Sequence, residues 1–383
     1  MTRLVIHNFA HLAEVDLSFG DLTLIVGAQA TGKSLTGQWL KFATDGGEVV
    51  STLRDAGHRV DDRDTLLDLL FGSGMSTGWE EDTKVSLDGT RIDPLRLTYR
   101  GRKDRKPRVF FIPAHRAMLM SDGWAAPFQR LTPDTPVVAR LFSQHLYQTF
   151  TTKRKSDLFP VTGKLKKQYR DAIAKAVFHG GSIGVEDDVA RHARRIVLRH
   201  GETRIPYMAW TAGQREFTPL LLGLYNLLPS TRRSRAEPIE WVIIEEPEMG
   251  LHPRALNVVI MLVLDLLWRG YRVVITTHSP DVVAAAWMFQ QLKEAQASWK
   301  AVLEGIGLPK HNTLREVGEA ALAATCKTHH LFFDSDGRVR SQDISSLDVG
   351  SDDLREAAWG GLTEFTTGYA EAVAKAVARS EAP

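Results

Sequence analysis

The sequence has very little cysteine, almost no net charge and no long hydrophobic run. Its 383 residues include a single cysteine, Cys326, so a disulfide within the chain and a cysteine-based metal site are both excluded. The net charge of +2 gives no overall electrostatic attraction to nucleic acid. The longest apolar run, Val258–Trp268, is interrupted by Asp265 and is too short to span a bilayer. The N-terminus has no signal-peptide pattern, so we expect a soluble cytoplasmic protein.

Short apolar strands alternate with helices along most of the chain. This order predicts an α/β fold with a mixed, mainly parallel sheet that is covered by helices. Two helices, Pro136–Thr151 and Val161–Phe178, predict a helical insertion lobe, and Arg96–Tyr99 is expected to be a strand. We therefore divide the chain into the N-terminal part of a head (1–133), the helical insertion lobe (134–188), the C-terminal part of the head (189–345) and a helical tail (346–383).

The most specific motif follows a predicted strand, Leu22–Val26, and leads into a predicted helix. The segment Gly27–Ser34 fits the phosphate-binding pattern G-x-x-x-x-G-K-[ST]. Its glycines let backbone N–H groups surround a phosphate, and the start of the helix adds partial positive charge. Lys33 can reach the β- and γ-phosphates of ATP, and the Ser34 hydroxyl can bind Mg²⁺. Nucleotide contact is predicted for all eight residues of this P-loop: Gly27, Ala28, Gln29, Ala30, Thr31, Gly32, Lys33 and Ser34.

A second motif places acids directly after a buried strand. The strand Trp241–Ile244 is continuously apolar, and Glu245 and Glu246 follow it. Because the carboxyl ends of parallel strands form the ligand-binding edge of an α/β sheet, these carboxylates are expected at that edge. Glu245 is predicted to hold Mg²⁺, and Glu246 is predicted to accept a proton from the attacking water. A solvated acidic loop is the alternative interpretation, and the P-loop makes it the weaker one.

Two further motifs are candidates for contact with the γ-phosphate. A capping box at a predicted helix start leaves backbone N–H groups free. His278 follows the buried strand Arg272–Thr276 and can hydrogen-bond a γ-phosphate. An ordinary helix cap and a structural histidine are the alternatives. The capping-box segment consists of Thr211, Ala212, Gly213 and Gln214.

In this order, the four motifs resemble the head of an ABC-type AAA ATPase. The run Glu245–Pro253, which reads EEPEMGLHP, and the segment Phe111–Arg116 resemble the OLD (overcoming lysogenization defect) and RecF-like branch. The resemblance implies an ABC-type P-loop NTPase head that hydrolyses ATP with Mg²⁺, with Lys33, Glu246 and His278 as catalytic residues. The sequence departs from the family in two places: Glu245 replaces the usual aspartate, and Ala212 replaces the usual glycine. No Q-loop glutamine is identified.

The resemblance also implies partners. Heads of this type form a head-to-tail homodimer or higher oligomer, in which the P-loop of one chain and Thr211–Gln214 of the other enclose ATP. Relatives act in anti-phage defence and DNA repair, so we expect a nucleotide-driven switch that works with a separate nuclease or toxin effector and without a membrane. Asp334–Gly337 is interpreted as a hairpin turn and not as part of a nuclease site. The ATPase subunit of a membrane transporter and an ATP-dependent assembly scaffold with little turnover remain alternatives.

Basic clusters suggest a contact with nucleic acid. Several cationic side chains on one surface would bind phosphates in a salt-dependent way. A solvated basic loop is the alternative for each cluster. The clusters are Arg100–Arg108, Lys153–Lys155, Lys164–Lys167 and Arg191–Arg199.

Overall fold

The computed structural model describes residues 2–99, 106–152, 157–188, 193–229 and 235–380. The strands are β1 (Thr2–Phe9), β2 (Leu12–Phe19), β3 (Leu22–Gly27), β4 (Trp79–Leu87), β5 (Thr90–Arg91), β6 (Val109–Ile112), β7 (Met120–Ser121), β8 (Trp124–Ala125), β9 (Asp157–Phe159), β10 (Ser182–Asp188), β11 (Ala193–His200), β12 (Thr203–Pro206), β13 (Trp241–Glu245), β14 (Arg272–Thr277), β15 (Cys326–Phe333) and β16 (Val339–Asp343). The helices are α1 (Lys33–Asp55), α2 (Arg63–Phe71), α3 (Pro94–Tyr99), α4 (Val137–Thr152), α5 (Lys167–Ile173), α6 (Ala212–Leu224), α7 (Pro253–Trp268), α8 (Pro280–Glu294), α9 (Trp299–Gly305), α10 (Arg315–Ala323), α11 (Leu354–Ala357) and α12 (Glu364–Ser380).

One large sheet organises the molecule. Its strand order in the described residues is β5-β4-β1-β2-β16-β15-β3-β14-β13-β6. The strands β15, β3, β14, β13 and β6 are successive parallel neighbours, so their carboxyl ends lie along one edge. The strands β1, β2, β4 and β5 add an antiparallel region at the other side. The predicted mixed, mainly parallel sheet is confirmed.

Apolar side chains alternate between the two faces of this sheet. On β3, Leu24 and Val26 join the core on one face, whereas Ile25 joins the core on the other. Helices α6, α7 and α8 cover the first face, and α1 covers the second. Both faces are therefore buried, which is why the sequences of β3 and β13 are mostly apolar. Among the described helices, none has the length and apolar character needed to cross a membrane.

The segment 134–188 is less helical than the sequence predicts. Helices α4 and α5 lie in it, and a π-helical turn at Ala174–Phe178 continues α5. However, β9 and β10 also lie in it and form an antiparallel sheet with β11 and β12. Ile183 and Val185 are both buried, and this period of two selects a strand, so the purely helical prediction is wrong there. Phe142 and Tyr169 share one apolar core with α6 and α7.

Two local predictions have opposite outcomes. Arg96–Tyr99 is not a strand, because the chain forms α3 from Pro94 onward and Asp93 Oδ1 accepts a hydrogen bond from the Leu95 N–H at 3.0 Å. An acid before a proline at the first helical position is a helix-start signal that outweighs the β-forming residues after it. The hairpin around Asp334–Gly337 is confirmed, since β15 and β16 pair in antiparallel register on either side of it.

Candidate functional site

The P-loop leaves the carboxyl end of β3 and runs into α1, as the motif requires. Gly27 has a φ of 147°, which lies in the region that favours glycine. A Cβ atom at this position would come within 2.3 Å of the Leu331 carbonyl oxygen on the neighbouring strand β15. Glycine is therefore needed at the first position of the loop for its backbone conformation and for the close approach of β15.

Lys33 is the buried cation of the loop. Its ammonium group donates hydrogen bonds to the carbonyl oxygens of Gly27 at 2.8 Å and Ala28 at 2.7 Å. Burial lowers the pKa of Lys33, while the nearby carboxylates of Glu246 and Glu248 act in the opposite direction. The structure therefore brings the lysine and the acidic segment together, although more than 200 residues separate them in the chain.

Glu245 is a buried carboxylate at the end of β13. Its Oε2 atom accepts a hydrogen bond from the Ala114 N–H at 3.1 Å, and its Oε1 atom is buried without a hydrogen-bond partner in the described part of the chain. Burial raises the pKa of Glu245 to about 7; the nearby Ser34 hydroxyl and the Ala114 N–H oppose this rise, and the charge of Glu246 adds to it. The two residues predicted to hold Mg²⁺, Ser34 and Glu245, therefore lie side by side.

Glu246 has an unusual backbone conformation for its residue type. Its φ is 40°, in the left-handed region that few residues other than glycine adopt. The Glu246 N–H donates to the Thr276 carbonyl oxygen of β14 at 2.8 Å, which holds this peptide beside the next strand. The Glu246 carboxylate is partly exposed and lies 3.7 Å from Nδ1 of His278. Sparsely populated conformations of this kind cluster at functional sites.

Glu248, to which the sequence assigned no role, connects the segment of Glu246 to the segment of His278. Oε1 of Glu248 accepts hydrogen bonds from the His278 N–H at 2.9 Å and from the Thr277 hydroxyl at 2.7 Å. It also lies 3.7 Å from Nδ1 of His278. Glu248 thus ties the loop after β13 to the loop after β14. Its position two residues after Glu246 was visible in the sequence, but its contact with β14 was not.

The capping box at the start of α6 is confirmed. The Gln214 N–H donates to the Thr211 hydroxyl at 3.3 Å, and the Thr211 N–H donates to Gln214 Oε1 at 3.2 Å. Nε2 of Gln214 also donates to the Val177 carbonyl oxygen in the π-helical turn at 3.1 Å. A Cβ atom at Gly213 would come within 2.8 Å of the Gly250 carbonyl oxygen. The helix start is therefore packed between the 134–188 segment and the loop that carries Glu248.

Arg116 is a second residue that the sequence did not single out for a role. It follows β6 and has no exposed surface. Burial lowers its pKa, and the carboxylates of Glu216, Glu248, Glu245 and Glu246 act to raise it. Its sequence position, three residues after Pro113, gave no signal of these contacts, because every partner outside its own loop comes from a distant part of the chain.

The basic clusters are only partly described. Residues 100–105, 153–156 and 189–192 lie outside the described residues, so the predictions for Arg100, Arg102, Lys103, Arg105, Lys153–Lys155 and Arg191 are not addressed. Several of the described cations are paired with acids: Arg108 with Glu240, Lys166 with Asp265, Lys167 with Asp171, and Arg199 with Glu186 and Asp157. These pairs reduce the positive charge available to a phosphate backbone.

Comparison with protein families gives one match. Residues 124–284 match the family described as "AAA domain, putative AbiEii toxin, Type IV TA system". The matched segment includes the start of α6, the acidic end of β13 and His278, and it does not include the P-loop. The match supports a nucleotide-binding ATPase domain. No curated protein gives a significant match to the sequence.

Similar solved structures include heads of SMC proteins and an ABC ATPase. An SMC head bound to the C-terminal winged-helix domain of ScpA is 12% identical, with 89% of this chain and 96% of that chain covered and a TM-score of 0.43. The SMC head domain from Thermotoga maritima is 11% identical, with 89% and 97% covered and a TM-score of 0.36. A dimeric bacterial ABC transporter cassette is 12% identical, with 73% and 90% covered and a TM-score of 0.32.

Proposed function

We propose that this chain binds ATP with Mg²⁺ at Gly27–Ser34 and hydrolyses it. The observation that carries the proposal is the convergence of Lys33, Glu246 and His278 at one edge of the sheet, at the carboxyl ends of three adjacent parallel strands. Phosphoryl transfer to water needs positioned charges and an oriented water more than covalent chemistry; this edge supplies the charges, and its carboxylates can orient a water.

The oxygen atoms beside the P-loop fit Mg²⁺. Oε1 of Glu245 is buried and without a hydrogen-bond partner in the described part of the chain, and the Ser34 hydroxyl is close to the Glu245 carboxyl group. Hydroxyl and carboxylate oxygens are ligands that Mg²⁺ prefers, with phosphate and water oxygens completing its shell. Ser34 and Glu245 would hold the ion together with the phosphates of the nucleotide. Bound Mg²⁺ supplies neutralisation of phosphate charge.

Glu246 is the residue best placed to accept the proton of the attacking water. Its side chain is 23% exposed, so it can reach water and a phosphate, whereas Glu245 is buried. Glu248 orients the loop of His278 by accepting its backbone N–H. The imidazole of His278, which is 41% exposed, is then available for the γ-phosphate. Lys33 supplies positive charge to the β- and γ-phosphates.

We further propose that a second copy of the chain completes the site. Thr211 and Ala212 are exposed at the start of α6, and both polar atoms of the Gln214 side chain are engaged within the chain. At the start of α6, the backbone N–H groups would therefore be the donors that bind a γ-phosphate. A head-to-tail dimer would bring this helix start to the P-loop of the other chain.

The cellular role that we propose is a nucleotide-driven switch that acts with a separate nuclease or toxin effector, in anti-phage defence or DNA maintenance. The OLD/RecF-like resemblance supports it, and the description of the matched family also names a toxin of a type IV toxin–antitoxin system. Nucleic-acid contact stays part of this proposal through the basic segments outside the described residues.

Lys33→Ala tests the nucleotide site. Removing the ammonium group takes away charge-assisted contacts with phosphate, so we expect the Kd for Mg-ATP to rise by about 100-fold or more. Binding is measured by isothermal titration calorimetry. Lys84→Ala removes an exposed lysine from β4 and serves as the matched control, which should bind as the wild type does. Wild-type affinity and turnover in Lys33→Ala would overturn the assignment of the P-loop.

A further inference from the structure

Arg116 connects three elements that surround the proposed catalytic site. Its Nε atom donates to the Glu216 carbonyl oxygen on α6 at 2.9 Å. Nη1 donates to the Glu245 carbonyl oxygen at 3.0 Å, and Nη2 donates to the Glu246 carbonyl oxygen at 3.4 Å. Nη1 also donates to two carbonyl oxygens of its own loop, those of Pro113 and Ala114, each at 3.3 Å.

The burial of this guanidinium group costs free energy, and hydrogen bonds and a nearby carboxylate offset that cost. Arg116 has no exposed surface. A buried charge needs both opposite charge and satisfied hydrogen bonds. The carboxylate of Glu216 lies 3.7 Å from Nε, and the carbonyl oxygens from three segments accept its N–H groups. A lysine, with one point charge, cannot reproduce this planar set of donors.

The residues that accept hydrogen bonds from Arg116 show which parts of the site it can position. Glu246 has a left-handed φ of 40°, and its peptide is held from one side by the N–H contact with Thr276. The Arg116 contact with the Glu246 carbonyl oxygen holds the same residue from the other side. Glu216 lies in the second turn of α6, two residues after Gln214, the last residue of the capping-box segment. One guanidinium group therefore touches both the residue proposed as the base and the helix proposed to contact the nucleotide of a second chain.

We propose that Arg116 is a positioning residue that fixes the Glu246 carboxylate and couples it to the position of α6. This inference rests on the proposed ATPase function and adds a residue and a connection to it. When the start of α6 engages a nucleotide, any shift of the Glu216 backbone is transmitted to the Glu246 peptide through the arginine. The hydrogen bonds of Arg116 in the described residues go to its own loop, to α6 and to the backbone carbonyl oxygens of Glu245 and Glu246, and none goes to the P-loop, so we expect Arg116 to affect hydrolysis more than nucleotide binding.

Arg116→Lys tests the proposal. Because misplacing a catalytic group by about 1 Å can cost 100-fold in rate, we expect kcat for ATP hydrolysis to fall by about 10- to 100-fold. The KM and the Kd for Mg-ATP should stay within about threefold of the wild-type values, because uniform binding is unchanged. The matched control is Arg140→Lys, which changes another fully buried arginine that contacts His58 and the ring of Phe128, away from the site. This control should retain the wild-type kcat when folded.

A second variant guards against a folding defect. Glu216→Gln keeps the shape of the side chain and the backbone acceptor but removes the carboxylate 3.7 Å from Arg116. It should also lower kcat with little change in KM. The proposal is overturned if folded Arg116→Lys or Glu216→Gln keeps the wild-type kcat, or if kcat and ATP affinity fall together in proportion to a loss of thermal stability. A wild-type protein that neither binds nor hydrolyses ATP would instead remove the proposed function itself.

Discussion

At the scale of single residues, the candidate site combines buried charges with a partly exposed Glu246 and His278. Lys33 and Arg116 are buried cations, and Glu245 is a buried acid whose pKa is raised to about 7 mainly by burial. Each is costly alone, because a buried charge loses its hydration. The positive charges of Lys33 and Arg116 and the carboxylates of the three glutamates, Glu245, Glu246 and Glu248, partly neutralise one another. The closeness of these groups gives a physical reason why they would respond to an added phosphate or cation.

His330 gives a prediction about pH. It lies on β15 beside Val26, next to the strand that enters the P-loop. Burial, followed by the charge of Arg355, lowers the pKa of its imidazole from 6.5 to about 4, although Asp353 opposes this. The unfolded chain therefore binds this proton first as the pH falls. The contribution of neutral His330 to the free energy of unfolding is thus lost between about pH 6.5 and pH 4.

The change His330→Gln removes this titration, so the variant should lose less stability than the wild type over that pH window. Urea unfolding at about pH 7, 6, 5 and 4 measures the difference. His200→Gln, at an exposed histidine, controls for the substitution itself. Equal pH dependence in the wild type and His330→Gln would show that His330 has the same proton affinity in both states.

The residues whose place at this edge of the sheet could be predicted from the sequence are those that belong to a local pattern. Gly27–Ser34 needs only a strand before it and a helix after it, and both are visible in the chain. Glu246 and His278 follow apolar strands directly. Arg116 and Glu248 could not be assigned, because their partners lie on other elements and depend on strand order. Sequence periodicity shows which face a residue occupies, but not which distant carbonyl it meets.

At the scale of elements, the central strands follow from the burial of both faces of the large sheet by helices. The strands β3, β13 and β14 were predictable because central parallel strands are mostly apolar. The structure of the segment 134–188 was harder to predict. Strand β9 has only three residues, and β10 forms a strand through its pairing with β11, which lies outside the segment. For α3, a helix-start signal outweighed strand-forming residues. Helix α1 continues to Asp55 although two adjacent glycines, Gly46 and Gly47, lie within it.

Gly47→Ala should stabilise the protein. A Cβ atom there would meet nothing within 4 Å, and alanine is favoured over glycine inside a helix by about 1 kcal/mol. The free energy of unfolding, measured with urea, should therefore rise by about this amount. The matched variant is Gly318→Ala in α10, which has the same gain in helix propensity but places its Cβ atom 2.9 Å from the Trp299 carbonyl oxygen. Gly318→Ala should lower stability, and the same sign for both variants would contradict this packing.

At the scale of the whole molecule, the proposed function requires two copies of the chain. The P-loop and the start of α6 belong to the same chain, but the proposed function assigns them to opposite sides of a shared nucleotide. Replacing the base by an amide should trap that state, because ATP binds but is not consumed. We therefore expect Glu246→Gln to form dimers in Mg-ATP, and a variant that stays monomeric at high concentration with ATP bound would contradict the head-to-tail arrangement.

The most direct test of ATP hydrolysis at this site is the steady-state release of phosphate from Mg-ATP by the wild type and Glu246→Gln. Glu202→Gln, at an exposed glutamate, is the matched control. A general base contributes about 100-fold or more to such a reaction, so Glu246→Gln should lose at least this much of kcat while it still binds ATP. The control should hydrolyse ATP at the wild-type rate. Wild-type turnover by Glu246→Gln, or no phosphate release by the wild type, would contradict the account.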